Sequence, residues 1–425
     1  MIRRSTAARG LALAAVLSVG LAACSTSGSG DGEGGGSAEP LVVGTILPIT
    51  GSLAYLGPPE VAGVGLAVDD INAAGGVLGE DVTLESGDSG DSTDMSVSTN
   101  TATDLIGKGV QVAIGAASSS VSQNVVDQFT EAGVLQISPA NTATELSGVS
   151  DLFTRTAPPD TVQGAALGSL VLDGGHQKVA FLVQNETYGT GLRDNVQKAI
   201  EEGGAEAVYG GTGAGEEFAP GETNFSSIVT DALAAKPDAI VILAFEETKA
   251  AVAELVSQGW DFDGTTYLCD GNTADYSKDF DPGTLVGVQG TIPGADPAQE
   301  FKDNASAWYE EAEGSALTDY AYAAESYDAV ILAALAAVKA ESTSGTDIAA
   351  QIRSVSGADG GTEVSTFQEG VDALEAGEDI HYTGVSGIGP INEDNDPSSA
   401  FIGVYNYADD NTLVFDRAIE GSVEG

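Results

Sequence analysis

The chain has 425 residues, 42% of them hydrophobic, and a formal net charge of −49 from 64 acidic against 15 basic side chains. That length suffices to bury a large core in two or three domain-sized units. So large a negative charge excludes nucleic acid and other polyanions as partners, because repulsion opposes approach from any direction; it serves solubility or, alternatively, recruits cations or a basic partner.

Residues 1–23 have the order of a signal peptide: the basic MIRRSTAARG, the short apolar run LALAAVLSVGLAA, and small residues before Cys24. LAAC resembles the lipobox of bacterial lipoproteins. The resemblance implies cleavage ahead of Cys24, a diacylglycerol on its thiol, and anchoring at the extracytoplasmic face of the cell membrane, where two acyl chains hold a soluble domain. A plain secretory signal with a chance cysteine is the alternative. Residues 24–40, through STSGSGDGEGGGSAEP, have nothing to pack and read as a flexible tether with an r.m.s. span of roughly 20 to 24 Å. No later apolar run is long enough and free enough of charge for a transmembrane helix. With Cys24 lipidated, Cys269 is the one cysteine left, so core packing rather than an intrachain disulfide must supply stability. Cys269 itself reads as a buried small hydrophobe, turned from its neighbour Asp270 by strand alternation.

From Leu41 onward short β-branched runs alternate with helical patterns. LVVGTIL precedes a helix around VGLAVDDINAAG, DVTLES precedes TNTATDLIGKG, VQVAIG precedes SSVSQNVVDQFTEAG, and VLQIS follows. After TAPPD a second series runs: TVQGAALGSLVLDGG before KVAFLV, GLRDNVQKAIEEGG before AEAVYG, FSSIVTDALAAK before DAIVILAF, and EETKAAVAELVSQG before TTYLC. This alternation predicts βαβ units on parallel sheets covered by helices on both faces, arranged as two α/β lobes. VGVQGTIP reads as a further strand and residues 297–339 as mostly helical. Residues 340–398 read as looser, with a short helix at FQEGVDALEAG, and FIGVYNY and TLVFDR as a closing hairpin turned at ADDN.

GAASSSVSQN, residues 115–124, sets three serines where a strand ends and a helix begins. A nucleophilic serine needs a base. The two histidines, His176 in DGGHQK and His381 in DIHYTG, fall in no recognisable triad pattern, and neither G-x-S-x-G nor S-x-x-K occurs. The carboxylates of DSGDSTD lack EF-hand spacing, there is no Walker A motif, and the glycines of GVGLAV fit helix packing better than a dinucleotide fingerprint. The sequence therefore predicts no metal, no cofactor and no enzyme. Binding fits better: a helix N-terminus at a strand's C-terminal end presents free N–H groups and partial positive charge to a carboxylate, and SPANT, residues 138–142, repeats the setting one strand later. Helix capping alone is the simpler account of Ser118 to Ser120 and Thr142.

In order and spacing, VGTILPITGSLAYLG, DDINAAGGVLG, GAASSS, ISPANT, FTRTAPPDTVQG, YGTGL, FSSIV and AYAAESYDAV resemble the branched-chain amino acid type of ABC-transporter substrate-binding protein, a type I periplasmic binding protein family, over nearly all of the mature chain. The resemblance implies two Rossmann-like lobes, residues 41–159 with 290–392 and residues 160–289 with 393–425, joined by three crossovers near Pro159, Gly290 and residues 392–399. The ligand would lie between them. It implies that Ser119 and Thr142, with the backbone of Ala140, hold an amino acid's carboxylate, and that Asp270, where a Glu is common, meets the ammonium. Tyr188 would cover the ligand, Phe245 would stand where a Tyr hydroxyl is often found, and Tyr55, Leu56 and Tyr322 would lie near the ligand's side chain. The implied function is that of a monomeric binder delivering an aliphatic amino acid to a membrane permease. Short amides, urea or service to a membrane sensor are the alternatives, and an extracellular serine hydrolase is the remotest.

Overall fold

The computed structural model describes residues 39–422, so Cys24, the signal segment and most of the tether lie outside the described residues. The β-branched runs form strands where the alternation predicts them. β1 (Val42–Leu47), β2 (Thr83–Asp88), β3 (Val112–Gly115), β4 (Leu135–Ser138) and a short β5 (Phe153–Arg155) make a five-stranded parallel sheet in the order β2-β1-β3-β4-β5. Its first connections carry α1 (Gly57–Ala73), α2 (Ser96–Gly107) and α3 (Ser119–Ala132). α1 starts on Pro58 and Pro59, whose missing N–H groups cost nothing in a first helical turn.

The second series repeats this winding. α4 (Asp160–Asp173), β6 (Lys178–Val183), α5 (Thr187–Glu202), β7 (Glu206–Tyr209), α6 (Ser226–Ala234), β8 (Ala239–Leu243), α7 (Thr248–Ser257), β9 (Thr266–Leu268) and β10 (Gln289–Pro293) place five parallel strands in the order β7-β6-β8-β9-β10. Every residue of β3 and of β8 is buried, as expected for strands covered on both faces. Gly290 pairs inside this sheet, opposite Leu268 and Tyr405, and the chain leaves it after Pro293.

α8 (Gln299–Glu313) and α9 (Ala323–Ala340) then return to the first sheet, where α9 packs along α1. The approach is close: a Cβ on Gly63 would meet the Ala323 carbonyl, and one on Gly65 would enter the Trp308 ring, so these glycines serve helix packing. Residues 340–398, which look loose in sequence, carry α10 (Gly345–Val355), β11 (Thr362–Val364), α11 (Phe367–Glu375) and β12 (Ile380–Tyr382), with β11 and β12 forming a two-stranded parallel sheet. α10 was hidden because its apolar face is only Ile348, Ile352 and Val355, which join the core of α1, α9 and the first sheet. β13 (Ser399–Tyr407) and β14 (Leu413–Ser422) form the expected hairpin and add antiparallel strands beyond β10. Among the described residues no helix is long and apolar enough to cross a membrane.

Residues 392–396 are tied to the first sheet by a buried ion pair. Arg155 Nε donates to Asp396 Oδ1 at 2.6 Å, with 0% and 3% side-chain exposure. The same guanidinium donates to the Ala143 carbonyl at 2.9 Å and to Ser147 Oγ at 2.9 Å, so no charge is left unmatched.

Other buried carboxyls lack such partners. Glu60, fully buried at the start of α1, has no hydrogen bond to either oxygen; burial, and then the neighbouring Glu325, push its pKa well above the ordinary range. Burial pushes Glu325 up to about 8. Folded pKa values above the unfolded ones mean that the native state holds extra protons, and that this contribution is lost as pH rises through the folded values. The thermal midpoint is therefore expected to fall from about pH 5 to about pH 8, and Glu60→Gln to flatten that fall, measured by circular dichroism melts across the range. A variant slope equal to wild type would show that Glu60 stays ionised in the fold.

Candidate functional site

Both sheets turn the C-terminal ends of their central strands toward one region. In the first, β1, β3 and β4 lead into Leu53 to Leu56, Ser118 to Ser120 and Ala140; in the second, β6, β8 and β9 lead into Glu186 to Tyr188, Phe245 and Asp270. These are the crevices beside the point where strand order reverses, the usual place for a ligand in such sheets. Leu56, Ser119, Ala140, Tyr188, Phe245, Asp270 and Tyr322 line one cavity with Leu53, Ala117, Ser118 and Gly271. Tyr55 instead lines an adjoining space of about 100 Å³ with Phe245 and Gly271, and its hydroxyl donates to the Asp270 carbonyl at 3.1 Å. Thr142 stands one layer behind the cavity, its N–H 3.4 Å from Ser119 Oγ.

The three serines divide the labour. Ser118 has extended backbone and its Oγ caps α3 by accepting from the Val121 N–H at 3.5 Å. Ser119 Oγ accepts from the Ala143 N–H at 3.2 Å as well as from Thr142, which leaves its own proton to give. The Ser120 N–H and the Ser118 hydroxyl donate to Glu186 Oε1 at 3.1 and 3.2 Å, while Glu186 Oε2 accepts from the Tyr188 N–H at 2.7 Å. One carboxylate from the second lobe thus joins the N-termini of α3 and α5, and part of the α3 terminus expected to meet a ligand is taken by Glu186.

Asp270 is more heavily engaged than its expected role suggests. Its Oδ1 accepts from Gln163 Nε2 at 2.8 Å and from the Tyr188 hydroxyl, and its Oδ2 accepts from the Tyr322 hydroxyl at 2.6 Å. Tyr322, at the N-cap of α9, belongs to the first lobe and holds a left-handed backbone, φ 60°. Burial pushes the Asp270 carboxyl up, while hydrogen bonds from Tyr188, Tyr322 and Gln163 draw it back down. Tyr188 stacks on Phe245 with ring centroids 5.3 Å apart and planes 10° from parallel. The enclosed space is about 20 Å³, little more than one water occupies, so an amino acid enters only if Tyr322 and Asp270 part.

Cys269 is buried in the core, as expected, and lines neither cavity, although the Tyr188 hydroxyl lies 2.9 Å from its Sγ. β9 ends at Leu268, so strand alternation no longer governs residues 269 and 270. Gln163 and Asp160, in the first turn of α4, are site residues that sequence reasoning missed. The Asp160 carboxyl is fully buried, and burial, then Asp270, push its pKa up. The Thr142 hydroxyl lies near enough to favour its charged form, but the geometry falls short of a hydrogen bond and Thr142 Oγ1 has no partner. Such a buried, unpartnered hydroxyl suits a polar ligand atom. Neither histidine lines the cavity, and His176 Nε2 instead pairs with the Gly264 carbonyl at 2.8 Å.

Residues 40–374 match the family model described as periplasmic binding protein. The Leu/Ile/Val-binding protein homolog 3 of Brucella melitensis is 30% identical over 245 residues, 55% of this chain and 64% of that protein. The chain thus aligns with less than two thirds of the length of the curated relatives it matches first. Among solved structures, the leucine-binding protein LivK of Thermotoga maritima superimposes with a TM-score of 0.72 at 22% identity, covering 89% of this chain and 98% of that one. The branched-chain amino acid transporter substrate-binding protein LivJ of Streptococcus pneumoniae, in complex with isoleucine, gives 0.71 at 20% identity, covering 91% and 100%.

Glu186→Ala leaves Ser118 and Ser120 without their carboxylate, and charge-assisted hydrogen bonds contribute about 1.5–3 kcal/mol each. The closed arrangement is expected to lose population, with the radius of gyration from small-angle X-ray scattering rising above that of the wild type. An unchanged radius would show that other contacts suffice.

Proposed function

The chain belongs to the periplasmic binding protein family, type I, and from that premise we propose that it is the extracytoplasmic solute-binding component of an ABC importer, taking an amino acid between its lobes. The observation that carries the reading is the convergence of Ser119 and Ala140 from one lobe and Tyr188, Phe245 and Asp270 from the other on one cavity. The ligand's carboxylate meets the Ser119 hydroxyl, the free Thr142 hydroxyl and the backbone around Ala140. Its ammonium takes the place of the Tyr322 hydroxyl on Asp270, and Tyr188 and Phe245 enclose the carbon between them. The relatives named for Leu/Ile/Val binding and for leucine and isoleucine favour an aliphatic side chain.

Closure desolvates the ligand as the lobes meet and involves no covalent chemistry. A micromolar Kd needs about −8 kcal/mol, which a few charge-assisted hydrogen bonds supply after ordering costs. Cys24 carries the diacylglycerol, residues 25–40 tether the lobes to the membrane, and a permease receives the ligand. A smaller ligand, a short amide or urea, is the second reading. It is favoured by an Asp where a Glu is common and by Phe245, which has no hydroxyl to offer.

Calorimetry over a panel of amino acids, short amides and urea separates the two readings. With the amino acid that binds best, Asp270→Asn is expected to weaken affinity tenfold or more, each 1.4 kcal/mol being about tenfold, and Ser119→Ala to cost about 1 kcal/mol. The ion pair needs ionised Asp270, whose pKa is raised, so affinity should fall on acidification while still above the ordinary carboxylate range. Unchanged affinity in Asp270→Asn would remove that residue from the site.

A further inference from the structure

A second and larger cavity, about 510 Å³, opens on the other side of Tyr322. The loop after β10, residues 318–322 and the β13–β14 hairpin enclose it, so it touches the cleft cavity only through the shared Tyr322. We propose that this cavity is a binding site for an organic amine with an apolar body, its ammonium on Glu325 and its body against Tyr320, Tyr405 and Phe415.

Its volume lies in the range of small-molecule sites. Glu325, 3% exposed, lines it, and among the described residues no other residue hydrogen-bonds its carboxylate. Its Oε1 lies against Gly294, whose φ of 98° favours glycine. Asp319, its carboxyl pushed up by burial, and Asp275 line the same wall, and the one ammonium there, Lys302 Nζ, is matched by Asp296 at 2.5 Å. That ammonium already lies over the Tyr320 ring, 5.7 Å from its centroid, so cation–aromatic packing occurs at this wall. Tyr405 and Phe415 meet edge to face at 5.5 Å.

Burial lifts Glu325 to about 8, with Glu60, Asp328, Tyr322 and Tyr405 as its ionisable neighbours. Near neutrality it is mostly protonated, and an arriving ammonium makes it ionise.

Benzylamine, with benzyl alcohol as its neutral counterpart, tests the site by calorimetry at neutral pH in phosphate and in Tris. The expected result is a saturable benzylamine isotherm with a Kd of about 1 mM or tighter, at least about tenfold weaker binding of benzyl alcohol, and different heats in the two buffers, reporting proton release. Glu325→Gln, its fold checked by circular dichroism, should weaken benzylamine about tenfold and abolish the buffer difference, while Thr142→Val, a cleft change, should not. If Glu325→Gln does not fold, Asp319→Asn and Tyr405→Ala take its place, each expected to weaken benzylamine. No saturable binding, equal binding of the alcohol, or loss in Thr142→Val with the cavity variants unaffected would overturn the proposal. None of these results depends on which solute the cleft takes.

Discussion

A carboxylate sealed between two bodies must be satisfied by both of them. Asp270 takes Gln163 and Tyr188 from its own lobe and Tyr322 from the other, because burial without such donors would leave a charge that neither water nor protein compensates. Lobe position and site electrostatics are therefore one variable. When the lobes part, Asp270 loses Tyr322; in the proposed reading, an arriving ammonium takes that hydroxyl's place and the lobes close on the ligand instead of on each other.

The rest of the molecule keeps this carboxylate in register. Two sheets with the same strand order set their switch points face to face, so neither lobe needs a special insertion to reach the ligand. Glu186 adds a second bridge at the helix ends, and Arg155 with Asp396 fastens the last connecting segment to the first sheet. Buried carboxyls such as Glu60 and Glu325 sit where α1 and α9 begin, and low dielectric pushes both carboxyls above the ordinary range. An acidic chain can bury acids without burying charge.

Much of this was legible before any coordinates. Regular alternation of β-branched runs with helical patterns gives the strands of both sheets, since a parallel sheet covered on both faces demands them. The cavity residues Ala140, Tyr188, Phe245 and Asp270 came from the family resemblance, which places them in the turns after those strands, whereas the serines of GAASSS stood out by their own setting. Contacts between residues far apart in sequence were invisible: Gln163 lies 107 residues from Asp270, and Glu186 lies 66 from Ser120. One faint signal existed, for Glu is an unusual N-cap. Residues 340–398 were underestimated because short elements with few apolar residues fold on surfaces supplied by others.

The edge of the second sheet has a consequence for how the molecule is made. β10 pairs with β13 across an intervening stretch that builds the other lobe, and β14, outermost, comes last. A chain made from its N-terminus can therefore complete the second sheet only once β13 and β14 have emerged. Until then the flank of β10 presents unpaired N–H and C=O groups, a template for a neighbouring chain. Closure of the second sheet thus waits on the late strands, and the dense negative charge doubles as mutual repulsion that keeps incomplete copies apart.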